Sequence, residues 1–133
     1  MFSFLIISNI ENLSDNVYQV FSQIGAAKKE SEGRLIVESS AGMKDGWIAF
    51  QPIENIQYDY EIDELEKIKN QINNPSFYLI EGRNGIVDFS NNFIQKFNPL
   101  GNVLIDNDHG MIVKLVEIKR KIELKEDWLC SSS

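Results

Sequence analysis

The sequence predicts a single α/β (α+β) domain of residues 1–133, with a mixed β-sheet that contains an antiparallel hairpin and has helices packed on it. Three observations predict this class. The chain has 133 residues, the usual size of one domain with one core, and is 43% hydrophobic and 25% charged. Segments with apolar residues at helical spacing alternate along the chain with short apolar runs typical of strands. Two of these runs are close enough in sequence to pair as a hairpin.

The N-terminal part of the chain predicts a strand followed by a helix. Phe2 to Ile7 is a short apolar run and predicts the first strand. After it, Asn12 or Ser14 is suited to cap a helix, and Gly25 is suited to end that helix in a left-handed conformation. The apolar residues of the helix recur at 3.6-residue spacing and share one face: Leu13, Val17, Val20, Phe21 and Ile24.

Two further runs predict the antiparallel hairpin. Arg34 to Glu38 and Trp47 to Gln51 are strand-like, and the loop between them contains the turn-forming pair Asp45-Gly46. Pro52 follows at once. Because proline has no N–H to donate, it ends the second strand or marks that strand as an edge.

The middle of the chain predicts a second helix and another strand. Apolar residues return to helical spacing at Ile62, Leu65, Ile68 and Ile72. Asn73-Asn74-Pro75 ends this helix, since proline disfavours helical geometry at the residue before it. Phe77 to Ile80 then predicts a buried strand, and Asn84-Gly85 predicts a turn.

The C-terminal third predicts two more helices and two more strands. Four apolar residues at helical spacing indicate a helix with a buried phenylalanine face: Ile86, Phe89, Phe93 and Phe97. Asn98-Pro99 ends it, Val103 to Ile105 predicts a strand, and Asp106 to Gly110 predicts a polar turn. A short strand from Met111 to Val113 should follow. The last helix should carry Leu115, Ile118 or Lys119, and Ile122.

The charge of the chain is concentrated in one stretch. Thirteen Lys and Arg residues stand against 20 Asp and Glu residues, a formal net charge of −7, and all of the excess lies between Asp45 and Glu66. Such a chain is not expected to bind nucleic acid through its phosphates, because that requires clustered Lys and Arg. The stretch is suited to attract a basic partner. The alternative is a solvated acidic face that maintains solubility.

Two tyrosines among these acids mark the candidate binding residues. Rings supply rigid contact area and carboxylates meet Lys or Arg, a combination typical of recognition surfaces. The predicted partner-binding residues are Tyr58, Asp59, Tyr60, Glu61 and Asp63. In the alternative interpretation, Tyr58 and Tyr60 alternate on a strand and pack one of its faces.

The most enzyme-like segment follows the strand at Val103. Its Asp106-Asn107-Asp108 resembles the first motif of haloacid-dehalogenase phosphotransferases, in which one Asp is the nucleophile and both help to hold Mg²⁺. Too few residues follow to supply that family's remaining motifs, and Asp, Asn and Gly are also the residues of an ordinary turn. We therefore expect no enzyme, metal site or cofactor. A small metal- or nucleotide-dependent enzyme using Asp106, Asp108 and His109 is the alternative, and a subunit that oligomerises through the phenylalanine helix is a third.

Cysteine usage and hydropathy predict the compartment. Cys130 is the sole cysteine, so the chain forms no internal disulfide, which fits a reducing compartment. The longest apolar run, Phe4 to Ile7, is too short to span a bilayer, and no signal-peptide pattern is present. We expect a cytoplasmic protein without membrane contact, a monomer or weak homodimer, with residues 130–133 as a frayed tail.

The C-terminal half carries a resemblance to a class of small bacterial proteins. The segments concerned are 77–81 (Phe-Tyr-Leu-Ile-Glu), 103–110 (Val-Leu-Ile-Asp-Asn-Asp-His-Gly) and 126–129 (Glu-Asp-Trp-Leu). With the small acidic α/β domain around them, they make the chain similar to immunity proteins of polymorphic-toxin and contact-dependent growth-inhibition systems. The resemblance implies a cytoplasmic, non-enzymatic inhibitor. Such a protein would bind a cognate toxin domain, often a basic nuclease, and block its active site or substrate path.

Overall fold

The structure is a computed structural model that describes residues 1–130. Its strands are β1 (Phe2–Ser8), β2 (Lys28–Lys29), β3 (Leu35–Glu38), β4 (Trp47–Ile53), β5 (Ser76–Arg83), β6 (Val103–Asp106) and β7 (Ile112–Lys114). Its α-helices are α1 (Leu13–Ile24), α2 (Ile62–Gln71), α3 (Phe89–Lys96) and α4 (Leu115–Glu123). Of the predicted C-terminal tail, Cys130 is exposed and residues 131–133 lie outside the described residues.

The strands form one sheet in the order β2-β3-β4-β5-β1-β6-β7. The predicted α+β class is confirmed, and so is the predicted hairpin, in which β3 and β4 pair from Leu35↔Phe50 to Glu38↔Trp47. Within residues 1–130 every pairing is antiparallel, where a mixed sheet was expected. One helical connection shows why. The chain leaves β4 at Ile53 and enters β5 beside it, with Phe77 paired to Ile53, so α2 joins adjacent ends of the two strands. A parallel pairing would need the chain to cross over to the opposite end of β4.

The larger hydrophobic core lies between one face of the sheet and the helices α1, α3 and α4. Phe89, Phe93 and Phe97 are at most 1% exposed, which confirms the predicted burial of the three phenylalanines. Ile86, the first residue of the predicted repeat, precedes α3 and is exposed. The Phe93 ring lies 4.9 Å from that of Phe97 and 5.7 Å from that of Phe21 on α1. Aromatic packing at such distances stabilises a core beyond its buried area.

A second, smaller core lies on the opposite face, under α2. It consists of Ile7, Ile68, Ile72, Phe77 and Leu104. Ile68 and Ile72 are the two predicted apolar positions of α2 that are buried, whereas Ile62 is 77% exposed. This face carries the acidic segment discussed below.

Trp128 closes the larger core from the C-terminal side, which the sequence pattern does not predict. Its ring is 1% exposed and meets Phe4 edge-on with centroids 5.0 Å apart. Its Nε1–H donates to Asn91 Oδ1 at 2.7 Å, so the polar end of the indole is satisfied. A lone aromatic in an irregular segment has no periodicity by which to recognise it.

The ends of the elements differ from the sequence prediction at several positions. Gly25 ends α1 with an extended φ of −176°, not a left-handed one, and a Cβ there would lie 2.8 Å from Val37 Cγ2. Close approach of β3 therefore requires this glycine. Asn12 occupies the cap position of α1 without a side-chain cap bond. Pro52 lies inside β4 and does not end it. The pairing of β4 with β3 stops at Phe50, so at Pro52 the side of β4 that faces β3 is a free edge, where a missing N–H is tolerated.

Candidate functional site

Strand β4 divides the acidic stretch into two parts. Asp45 precedes the strand and Glu54 follows it, so the seven residues of β4 place them about 20 Å apart. The remaining acids follow the strand as one group: Glu54, Asp59, Glu61, Asp63, Glu64 and Glu66. All six are exposed. The surface charge is therefore more local than the sequence interval suggests.

The segment before α2 is a turn, not a strand. Asn55 has a left-handed φ of 63°, and residues Ile56–Asp59 form a 3₁₀ turn after it. The interpretation of Tyr58 and Tyr60 as alternating strand residues is therefore wrong, because asparagine readily adopts this conformation and turns the chain at the end of β4. Tyr58 is 80% exposed, whereas Tyr60 is half-buried. The two tyrosines have different surroundings.

Tyr60 anchors the acidic segment to the sheet. Its ring packs against the smaller core, with its centroid 5.7 Å from that of Phe77. Its hydroxyl donates a hydrogen bond of 2.5 Å to Oδ2 of Asp106 on β6. Burial raises the pKa of Tyr60 well above its usual value, and the Asp106 hydrogen bond and the negative charges of Asp106, Glu64 and Asp108 raise it further. The phenol therefore stays protonated and donates throughout the ordinary pH range.

The acids at the start of α2 also have a local structural role. The backbone N–H of Glu61 donates to Oε1 of Glu64 at 3.3 Å, and Asp63 and Glu64 lie in the first turn of the helix. Carboxylates there satisfy free N–H groups and interact favourably with the helix dipole. Glu61-x-x-Glu64 before an apolar helical repeat is a signal that sequence reasoning could have used. These acids thus stabilise the helix and remain exposed.

The Asp106 to Gly110 segment is the turn between β6 and β7. Oδ1 of Asp106 accepts from the Asp108 N–H at 2.8 Å, and Oδ1 of Asn107 accepts from the N–H groups of His109 and Met111 at 2.9 and 3.1 Å. Asn107 is fully buried, and its Nδ2 donates to the Trp128 carbonyl at 2.8 Å. The ordinary-turn interpretation accounts for this geometry.

The turn does not assemble the donors of a metal site. Both oxygens of Asp106 accept hydrogen bonds from the chain itself, one from Tyr60 and one from the turn. Asp108 has a left-handed φ of 63°, and His109 is exposed. In the described part of the chain, no group of three or more His, Cys, Asp or Glu side chains is arranged to hold a metal ion.

The structure therefore joins two segments that are distant in the sequence. Asp106 and Asp108 lie close enough to Tyr60 to raise its pKa together with Glu64, although Tyr60 and Asp106 are 46 residues apart. We call the resulting patch the Tyr60 acidic surface. It comprises Tyr58, Asp59, Tyr60, Glu61, Asp63, Glu64, Asp106 and Asp108. Of the five predicted binding residues, four are exposed on it and Tyr60 supports it from beneath.

Comparison of the chain with models of protein families, with curated proteins and with solved structures found no match. Among residues 1–130, no helix has the length and apolar character needed to cross a membrane.

Proposed function

We propose that this protein is a cytoplasmic immunity protein that binds a cognate basic toxin domain, such as a nuclease, and occludes its active or substrate-binding site. The observation that supports the proposal is the Tyr60 acidic surface. The excess charge of a −7 chain is concentrated largely there, next to the exposed ring of Tyr58. Negative charge of this kind complements a domain that itself binds a polyanion.

The surface suits binding because it is held in place before a partner arrives. The Tyr60–Asp106 hydrogen bond and the Phe77 contact fix the turn that carries Tyr58 and Asp59. A rigid surface loses less conformational entropy on association than a mobile loop. In this mechanism the carboxylates accelerate encounter and select a basic partner, and Tyr58 supplies the contact that slows dissociation.

The proposal is non-enzymatic, and the rival function makes a different prediction. A metal- or nucleotide-dependent enzyme would use Asp106, Asp108 and His109, whereas the hydrogen bonds of Asp106 and Asn107 give the segment a structural role. Metal-dependent phosphatase turnover by the purified chain, lost in the Asp106→Asn/Asp108→Asn variant, would establish the enzyme and overturn the proposal. No turnover is expected.

The binding test needs the proposed toxin domain. We take as the candidate the C-terminal domain of the protein encoded by the gene immediately upstream, immobilised in an inactive form. The first variant is Asp59→Asn/Asp63→Asn, which neutralises one acid before α2 and one in its first turn. The matched control is Glu38→Gln/Asp45→Asn, which removes two charges at the other end of β4, about 20 Å from Glu54. Both variants keep polar side chains and carry the same net charge.

We expect the first variant to associate three- to tenfold more slowly than the wild type at low salt, and the control to change less than twofold. Equal losses in both variants would show that only total charge matters and would overturn the assignment of the surface. No binding of the wild type would overturn the proposed partner. Co-expression with the active domain checks neutralisation: the wild-type chain should restore growth.

A further inference from the structure

A groove lies at the other end of α2 from the Tyr60 acidic surface. It is bounded by Gln71 at the C-terminal end of α2, Ile72 just after it, the loop at residues 98–102, the start of β6 and the first turn of α4. Its volume is about 580 Å³. That is within the range of sites that enclose a small organic molecule. The ten residues of α2 separate the groove from the acidic surface by about 15 Å.

The charge of this groove is opposite to that of the chain. Two lysines, Lys114 and Lys119, line it, and none of its 13 lining residues is Asp or Glu. This is notable in a chain with 20 acidic residues. Neither lysine has an ion-pair partner among residues 1–130. Two other depressions of the surface contain acidic residues, Glu54 in one and Asp88, Glu126 and Asp127 in the other.

The walls of the groove are largely apolar. Leu104 and Ile72 are buried at its base, while Leu100 is 95% exposed and Val116 57% exposed at its rim. Exposed leucine and valine beside a concave surface are typical of ligand or protein contact sites. Lys119 is half-buried and donates to Oδ1 of Asn98, and its desolvation lowers its pKa. An anion beside a partly desolvated ammonium is stabilised more than beside a fully hydrated one.

We infer that the groove binds an amphipathic organic carboxylate, with the carboxylate at Lys114 and Lys119 and the apolar body against Leu100, Leu104 and Val116. The inference is carried by charge complementarity between an anionic head and two lysines in a groove without acids. It does not depend on the proposed function, because it concerns different residues and a small molecule.

The test is calorimetric titration of the full chain with decanoate and with decanol, which share an apolar chain and differ in charge. Decanoate should bind at least tenfold more tightly than decanol. The Lys114→Gln/Lys119→Gln variant should lose at least tenfold in decanoate affinity. Its matched control, Lys28→Gln/Lys44→Gln, removes two exposed lysines distant from the groove and should keep wild-type affinity.

A third variant, Leu100→Ser, tests the apolar contact, and because Leu100 is 95% exposed the fold should not depend on it. It should weaken decanoate and decanol equally. Circular dichroism verifies folding of all variants. The inference is overturned if decanoate does not bind, if decanol binds equally well, or if both lysine variants lose affinity alike. Self-association that Leu100→Ser abolishes, without decanoate binding, would assign the groove to a second copy of the chain and also overturn it.

Discussion

Tyr60 shows how one residue links the fold to the candidate site. The sequence predicts it as a binding residue because of its acidic neighbours, but its ring contacts Phe77 and its hydroxyl bonds to Asp106. Local sequence cannot distinguish it from Tyr58, since the difference arises from contacts with β5 and β6, distant in the chain. Asp59, Glu61 and Asp63 are all exposed, as charged side chains usually are.

Tyr60→Phe should destabilise the protein by about 1–3 kcal/mol, because it keeps the ring but leaves a carboxylate oxygen of the buried Asp106 without its phenol donor. Urea unfolding followed by circular dichroism measures the change. Tyr58→Phe is the matched control, because Tyr58 is 80% exposed, and it should lower the free energy of unfolding by less than about 0.5 kcal/mol. Equal effects would show that the Tyr60 hydroxyl is not part of the structural network.

The pKa of Tyr60 also predicts a response to alkaline pH. Its pKa in the folded protein is raised above the usual value of 10.0, mainly by burial and then by the Asp106 hydrogen bond. The unfolded chain therefore loses this proton first, so the stabilisation is complete below pH 10 and decreases as pH rises above it. Unfolding free energies at pH 8 to 11 should fall less steeply in Tyr60→Phe than in the wild type. Parallel curves would contradict the prediction.

The elements with strong periodicity were predictable, and those defined by long-range contacts were not. The apolar repeats of α1 and α4 match the observed helices, since one buried stripe on a helix is a local pattern. The repeat of α3 matches only from Phe89, because the predicted Ile86 precedes the helix and is exposed. Strand β2 has only two residues, Lys28 and Lys29, and becomes a strand by pairing with β3. The 3₁₀ turn at Ile56–Asp59 likewise depends on the left-handed Asn55, which no periodicity indicates.

Phe93→Ala tests the packing of α3. Phe93 is fully buried against Phe21, Phe97 and Phe4, so the substitution should leave a cavity and cost about 3–5 kcal/mol. Chemical unfolding measures this loss, which is a large share of the stability of a typical domain. Ile86→Ala, at the predicted but exposed first position of the same repeat, is the control and should have little effect. An unchanged midpoint for Phe93→Ala would contradict the core assignment.

At the scale of the whole molecule, sheet order creates the candidate site. β1 lies between β5 and β6, and this arrangement brings Asp106 to the face on which Phe77 and Tyr60 pack. The composition and the alternation of elements predict the α+β class, but both are compatible with several strand orders. The concentration of charge was visible in the sequence. Its combination with the 106–108 turn required the tertiary fold.

The net charge of −7 leads to the last prediction, on the proposed partner domain. Association should slow at least tenfold between 0.1 and 1 M NaCl, because over this range the Debye length decreases from about 10 Å to about 3 Å and attraction across the Tyr60 acidic surface is screened. Dissociation should change little, since desolvated contacts such as that of Tyr58 are less exposed to salt. Stopped-flow fluorescence measures both rates. Asp59→Asn/Asp63→Asn should flatten the salt dependence of association, whereas Glu38→Gln/Asp45→Asn should retain it. The same flattening in both variants would mean that the whole molecule, and not this surface, steers the encounter.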